Sequence, residues 1–93
     1  MHSKTLQRMR EKVRRNEYVM TAHARKEMNN DNFSIFDVER GILNGNIVER
    51  QSDQATAEWK YRIKGKTISS AEIEVICKIG PTNKLVIITV YEP

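Results

Sequence analysis

The chain has 93 residues, 39% of them hydrophobic and 30% charged, with a formal net charge of +4. That length predicts one domain over residues 1–93, and no stretch approaches the roughly 18 consecutive apolar residues that would suggest a membrane span. A single cysteine, Cys77, excludes an internal disulfide, and one Cys with two His argues against a structural zinc site.

A reduced cysteine and an N-terminus without a signal-peptide apolar core make the cytoplasm the expected location. The charge is uneven. Residues 1–30 hold eight Lys/Arg against three Glu, and residues 31–93 hold eight Lys/Arg against nine Asp/Glu. A basic N-terminal third suits an acidic partner, whether RNA, DNA or protein.

Residues 3–15 read as a helix: Leu6, Met9 and Val13 recur at helical spacing, with Ser3 as its expected N-cap. The rest of that helix is basic, so Arg8, Lys12 and Arg15 offer a surface for phosphates or an acidic protein. Residues 21–30 read as a second helix capped by Thr21, with Ala24 and Met28 toward the core and His23 and Glu27 on the next ridge. The third helix is the best defined. Ser34 and Asp37 form a capping-box pattern, Phe33 and Val38 a hydrophobic staple, and Asn44-Gly45-Asn46 a stop.

From residue 47 the period changes to two. Ile47–Arg50 reads as a short strand. Glu58–Lys64 alternates Trp59, Tyr61 and Ile63 with Lys60, Arg62 and Lys64. Ile73, Val75, Cys77 and Ile79 mark a third strand, opposite Glu72, Glu74, Ile76 and Lys78. After the turn at Gly80–Asn83, residues 84–91 form the last strand. Strict alternation there puts Val86, Ile88 and Val90 on one face and Leu85, Ile87, Thr89 and Tyr91 on the other. Helices followed by strands predict an α+β fold with a four-stranded antiparallel sheet.

The chemistry-bearing candidates are few. Lys60, Arg62 and Lys64 form a cationic row with a spacing of about 6.5–7 Å, similar to that of phosphates along a nucleic-acid strand. Lys66 extends the row. Arg25, two residues after His23 in the Thr21–Arg25 run, joins them as an RNA-binding candidate. Metal-free RNA cleavage needs a base for the 2′-hydroxyl, cations for the phosphorane and a proton donor for the leaving oxygen. His23, Arg62, Thr89 and Tyr91 could fill or support those roles. A solvated strand face and an ordinary surface histidine account for the same residues equally simply. No acidic cluster, Gly-rich loop or G-x-S-x-G elbow points to magnesium, a nucleotide or a serine nucleophile, so no cofactor or metal is expected.

The motifs His23-Ala24-x-x-Glu27-Met28-x-x-Asp31, Asp37-Val38, Gly45-x-Ile47-Val48-Glu49 and Val86–Pro93 resemble a prokaryotic family catalogued as domain of unknown function 4258. The resemblance covers about residues 18–93, leaving residues 1–17 as a basic N-terminal helix. It implies the RelE/barnase-like fold class shared by barnase, EndoU, colicin and RelE-type ribonucleases. It also implies a toxin-like ribonuclease neutralised by an antitoxin of zinc-finger type. By position it carries a functional role to His23, Thr89 and Tyr91, with Arg62 as the best phosphate-binding residue. Many relatives have a histidine where Glu74 stands. The expected activity is metal-independent endoribonuclease cleavage. The competing expectations are a non-catalytic RNA-binding module and a protein-binding module.

Overall fold

A computed structural model describes residues 2–93. Elements run α1 (Ser3–Arg14), β1 (Tyr18–Met20), α2 (Ala22–Asn30), α3 (Ile35–Asn44), β2 (Asn46–Asp53), β3 (Glu58–Lys66), β4 (Glu72–Ile79) and β5 (Leu85–Tyr91). The sheet order is β1-β5-β4-β3-β2, with β1 parallel to β5 and every other pair antiparallel. The fold is therefore α+β as expected, but the sheet has five strands and is mixed. The added strand is three residues long, too short to carry a period-two signal. It forms because the chain between α1 and α2 lies alongside β5. The strand read as 47–50 extends to Asp53, held by pairing with β3 as far as Glu58.

Local chemistry sets the helix ends. Ser3 is the first helical residue of α1 and not its cap; His2 occupies the cap position at φ 60° without a side-chain hydrogen bond. Thr21 Oγ1 accepts from the Ala24 amide at 3.0 Å, and a complete Ser34–Asp37 capping box starts α3. The C-terminus of α3 is satisfied from another helix. Arg10 of α1 donates through Nη2 to Gly45 O (2.7 Å) and through Nε to Ile42 O (3.4 Å). A cation belongs at that end, where carbonyls lack partners and the helix dipole is negative.

One core lies between the helix layer and one sheet face. Leu6, Met9, Val13, Ala24, Val38 and Ile42 meet Ile63, Ile73, Val75, Cys77, Leu85, Ile87 and Val90. Helix α3 approaches β3 closely because Gly45 and Gly65 leave room, while Gly41 makes way for Ile73 of β4. A Cβ on Gly65 would overlap the Gly41 carbonyl oxygen and stand 2.8 Å from Asn44 Oδ1; one on Gly45 would stand 2.6 Å from Lys64 O. The Asn44 side chain exchanges two hydrogen bonds with the Lys66 backbone across this contact, at 2.9 and 3.0 Å.

Cys77 is fully buried, 3.9 Å from Met9 Sδ, and burial pushes its thiol up to about 12. The native protein should therefore resist a thiol-specific reagent at mildly alkaline pH and react fully in denaturant. Rapid labelling of the folded protein would contradict this packing. No helix of the described residues is long and apolar enough to cross a membrane.

Candidate functional site on the open sheet face

Helices α1 and α3 pack on one side of the sheet and α2 flanks the edge of β5, and the other face is built from alternate positions of β2 to β5. On β3 these are Lys60, Arg62, Lys64 and Lys66; on β4 they are Glu72, Glu74, Ile76 and Lys78. Two irregularities in register decide what stands beside them. In β2 the pairing steps from Ile47↔Ile63 to Glu49↔Arg62, skipping Val48. In β5 it steps from Ile87↔Cys77 to Thr89↔Ile76, skipping Ile88. Each is a β-bulge, which adds a residue to one strand and reverses the facing of every side chain beyond it. Without them Val48 would oppose Arg62 and Val90 would oppose Glu74. With them Glu49 opposes Arg62 and Tyr91 opposes Glu74.

Tyr91 and Thr89 therefore do not share a face with Leu85 and Ile87, as strict alternation predicts. Leu85, Ile87 and Val90 fill the core, and Thr89 and Tyr91 turn outward.

Four strands converge on Glu74. Its Oε1 accepts from Arg62 Nη1 at 2.5 Å and from the Tyr91 hydroxyl at 2.8 Å. Arg62 Nε reaches Glu49 Oε1 at 3.1 Å, and Gln51 Nε2 donates to the same oxygen at 2.7 Å. Glu74 is 5% exposed. Burial pushes its carboxyl up, but hydrogen bonds from Arg62 and Tyr91 and the nearby cations outweigh this and hold it below the ordinary carboxylate range. Arg62 is held further toward its charged form, first by the hydrogen bond to Glu74 and then by Glu49. Burial, followed by the Glu74 carboxylate, raises the Tyr91 phenol, so it keeps its proton at neutral pH. The cluster thus presents an ionised carboxylate, a fixed cation and a protonated phenol.

The remaining predicted residues divide between this cluster and its flanks. Thr89 shares the open face, opposite Ile76. Lys60 lies on it opposite Gln51, and Lys64 and Lys66 both lean on Glu72, at 3.9 and 3.7 Å. His23 stands apart at the flank of β5, its side chain 66% exposed and its Nε2 3.1 Å from Glu27 Oε1. That same oxygen accepts from the Val90 amide at 3.2 Å. No hydrogen bond or ion pair joins His23 to Tyr91; among the described residues each goes to a different carboxylate. Arg25 lies outside the cluster, lining a groove beside β1.

The cationic row is not a bare one. Lys78 sits 3.2 Å from both Asp53 and Glu58, so the face carries five cations (Lys60, Arg62, Lys64, Lys66, Lys78) and five carboxylates (Glu49, Asp53, Glu58, Glu72, Glu74). Glu49 and Glu74 were not among the predicted site residues. The available signal was a carboxylate set between Ile73 and Val75 in a buried strand. Among the described residues no group of three or more His, Cys, Asp or Glu is arranged to hold a metal ion.

A family model described as a domain of unknown function (DUF4258) matches residues 20–92. The chain belongs to the DUF4258 family. The matched region starts at the end of β1 and closes just after β5, so it takes in the whole Glu74 cluster and His23. Helix α1 lies outside the DUF4258 match, although Leu6, Met9 and Val13 complete the core. Neither the search of curated proteins nor that of solved structures returned a match for this DUF4258 chain.

Proposed function

We propose that this DUF4258 protein is a cytoplasmic, toxin-like endoribonuclease of the RelE/barnase-like class, cleaving RNA through its 2′-hydroxyl without a metal. The observation that carries the proposal is the pair of bulges that aims Glu49 and Tyr91 at the Arg62–Glu74 pair. Bulges of this kind recur beside active sites, where they re-aim a side chain. A buried ion pair is also a weak source of stability, so its presence on an open face favours a chemical role.

In this reading Glu74 accepts the 2′-hydroxyl proton and the 2′-oxygen attacks phosphorus. Arg62 balances charge on the equatorial oxygens. As the bond from phosphorus to the 5′-oxygen breaks, Tyr91 protonates that oxygen, leaving a 2′,3′-cyclic phosphate. Thr89 orients the ribose-phosphate, and Lys60, Lys64 and Lys66 guide the strand past the cluster. His23 serves at the rim as an alternative proton carrier. In this reading the protein is neutralised by an antitoxin of zinc-finger type, as the family resemblance implies.

The test is cleavage of RNA in EDTA by the wild type, Glu74→Gln, Tyr91→Phe and His23→Ala. A cyclic-phosphate product whose formation falls about a hundredfold or more in the first two variants is expected. An absolute requirement for added divalent metal, or full activity in Glu74→Gln, would overturn the assignment.

The even balance of charge on the open face favours a second reading, a non-catalytic module that binds RNA or an acidic protein through α1. It predicts salt-sensitive binding without cleavage, lost when Arg8, Lys12 and Arg15 are reversed in charge.

A further inference from the structure

The two edges of the sheet differ in how they are protected. Strand β2 carries Glu49, Arg50 and Asp53 and a bulge at Val48, the devices that keep an edge from pairing with another chain. Strand β1 reads Tyr18-Val19-Met20, with no charge, no proline and no bulge. The Leu85 amide donates to Glu17 O and the Thr21 amide donates to Ile87 O, both at 3.0 Å. Alternation then points the backbone of Val19 at β5 and turns the N–H and C=O groups of Tyr18 and Met20 away from the sheet.

Those outward groups border a groove of about 550 Å³ lined in part by Tyr18, Met20, Arg25, Met28, Asn29 and Ile35. Val19 is 45% exposed at its lip. The Arg25 amide donates to Thr21 O, but its guanidinium makes no hydrogen bond or ion pair among the described residues, and none of the groove's lining residues is acidic.

We propose that β1 is a docking edge for an extended segment of a partner protein, added as a sixth strand, with apolar side chains at alternate positions and one carboxylate meeting Arg25. The backbone groups of Tyr18 and Met20 supply hydrogen bonds, Met28 and Ile35 supply the apolar floor, and Arg25 selects the charge. A second copy of this chain fits less well: pairing two β1 edges brings two Arg25 side chains together, with no carboxylate from either groove. The inference is independent of RNA cleavage, because Arg25 and β1 lie outside the Glu74 cluster.

The probe is a phage-displayed library of random twelve-residue peptides panned on the wild-type protein, followed by the synthetic peptide of the enriched sequence. The expected consensus alternates apolar residues and contains Asp or Glu. Its affinity should fall at least tenfold with Arg25→Glu, an exposed change that leaves the core intact. Met20→Pro, which deletes an outward donor, should abolish binding, and its fold is checked by circular dichroism. On binding, the Tyr18 and Met20 amides should exchange more slowly with solvent. No enriched sequence, binding indifferent to Arg25→Glu, or displacement of the peptide by dimerisation of the protein itself would each overturn the proposal.

Discussion

Gly65→Ala should cost the protein about 3 kcal/mol or more, a large share of the stability of a domain this size. The added methyl group meets the Gly41 carbonyl and Asn44 rather than the tip of a flexible side chain. Neither helix nor strand can yield without separating α3 from β3 and breaking the paired Asn44–Lys66 hydrogen bonds. Backbone conformation is not the reason, since no glycine has a positive φ. Gly80→Ala is the control. There the nearest atom is Val86 Cγ2 at 3.0 Å, the end of a side chain that can shift, and the expected cost is below about 1 kcal/mol. Both are measured by urea unfolding; equal losses in the two variants would contradict the close-approach argument.

Arg62→Ala should destabilise by about 2 kcal/mol at neutral pH, less than for a fully buried pair because the Arg62 side chain is 29% exposed. Its pH dependence is the sharper signature. In the wild type the Glu74 carboxyl lies below its ordinary value. Its contribution is therefore fully present above the unfolded value of about 4.3 and disappears as pH falls through the folded value. Removing Arg62 leaves burial dominant and raises the Glu74 carboxyl. The penalty for its charge is then greatest at neutral pH and vanishes on protonation. The deficit of the variant should shrink steadily as pH falls from neutral to about 4. A deficit constant over that range would mean Arg62 acts through packing alone. Pairing Arg62→Met with Glu74→Leu should recover part of the loss, because no buried charge then remains without a partner.

Much of this fold was legible because the relevant signals are local. Ser34 and Asp37 announce α3 in four residues, and the apolar spacings of α1 and β3 need only a turn or two to be read. What escaped depends on pairing. Strand β1 has three residues and exists only against β5. The bulges at Val48 and Ile88 leave no mark in composition, since both are ordinary strand formers, yet they decide which way Glu49 and Tyr91 face. Reading β5 with an unbroken period of two therefore grouped Tyr91 with Leu85 and Ile87. The candidate site was half visible for the same reason. Arg62, Thr89 and Tyr91 stood out by residue type. Glu74, which joins Arg62 to Tyr91, carried a weaker signal, a carboxylate set between Ile73 and Val75 in a buried strand.

Beyond the reach of β1, the edge of β5 is matched by α2. Thr21 Oγ1 donates to Ile88 O, Glu27 accepts from the Val90 amide, and Asp31 accepts from the Glu92 amide. Helix and strand here act as two rulers laid side by side with different graduations. The ten steps from Thr21 to Asp31 span about 15 Å at helical rise, and the four from Ile88 to Glu92 about 13 Å at strand rise. The marks coincide near three places, enough to fix the helix both along its axis and about it. Inserting one residue into α2 between Thr21 and Glu27 would turn later side chains by about 100° and leave the amides of Val90 and Glu92 without their carboxylates. His23 owes its address beside β5 to that coincidence of lengths.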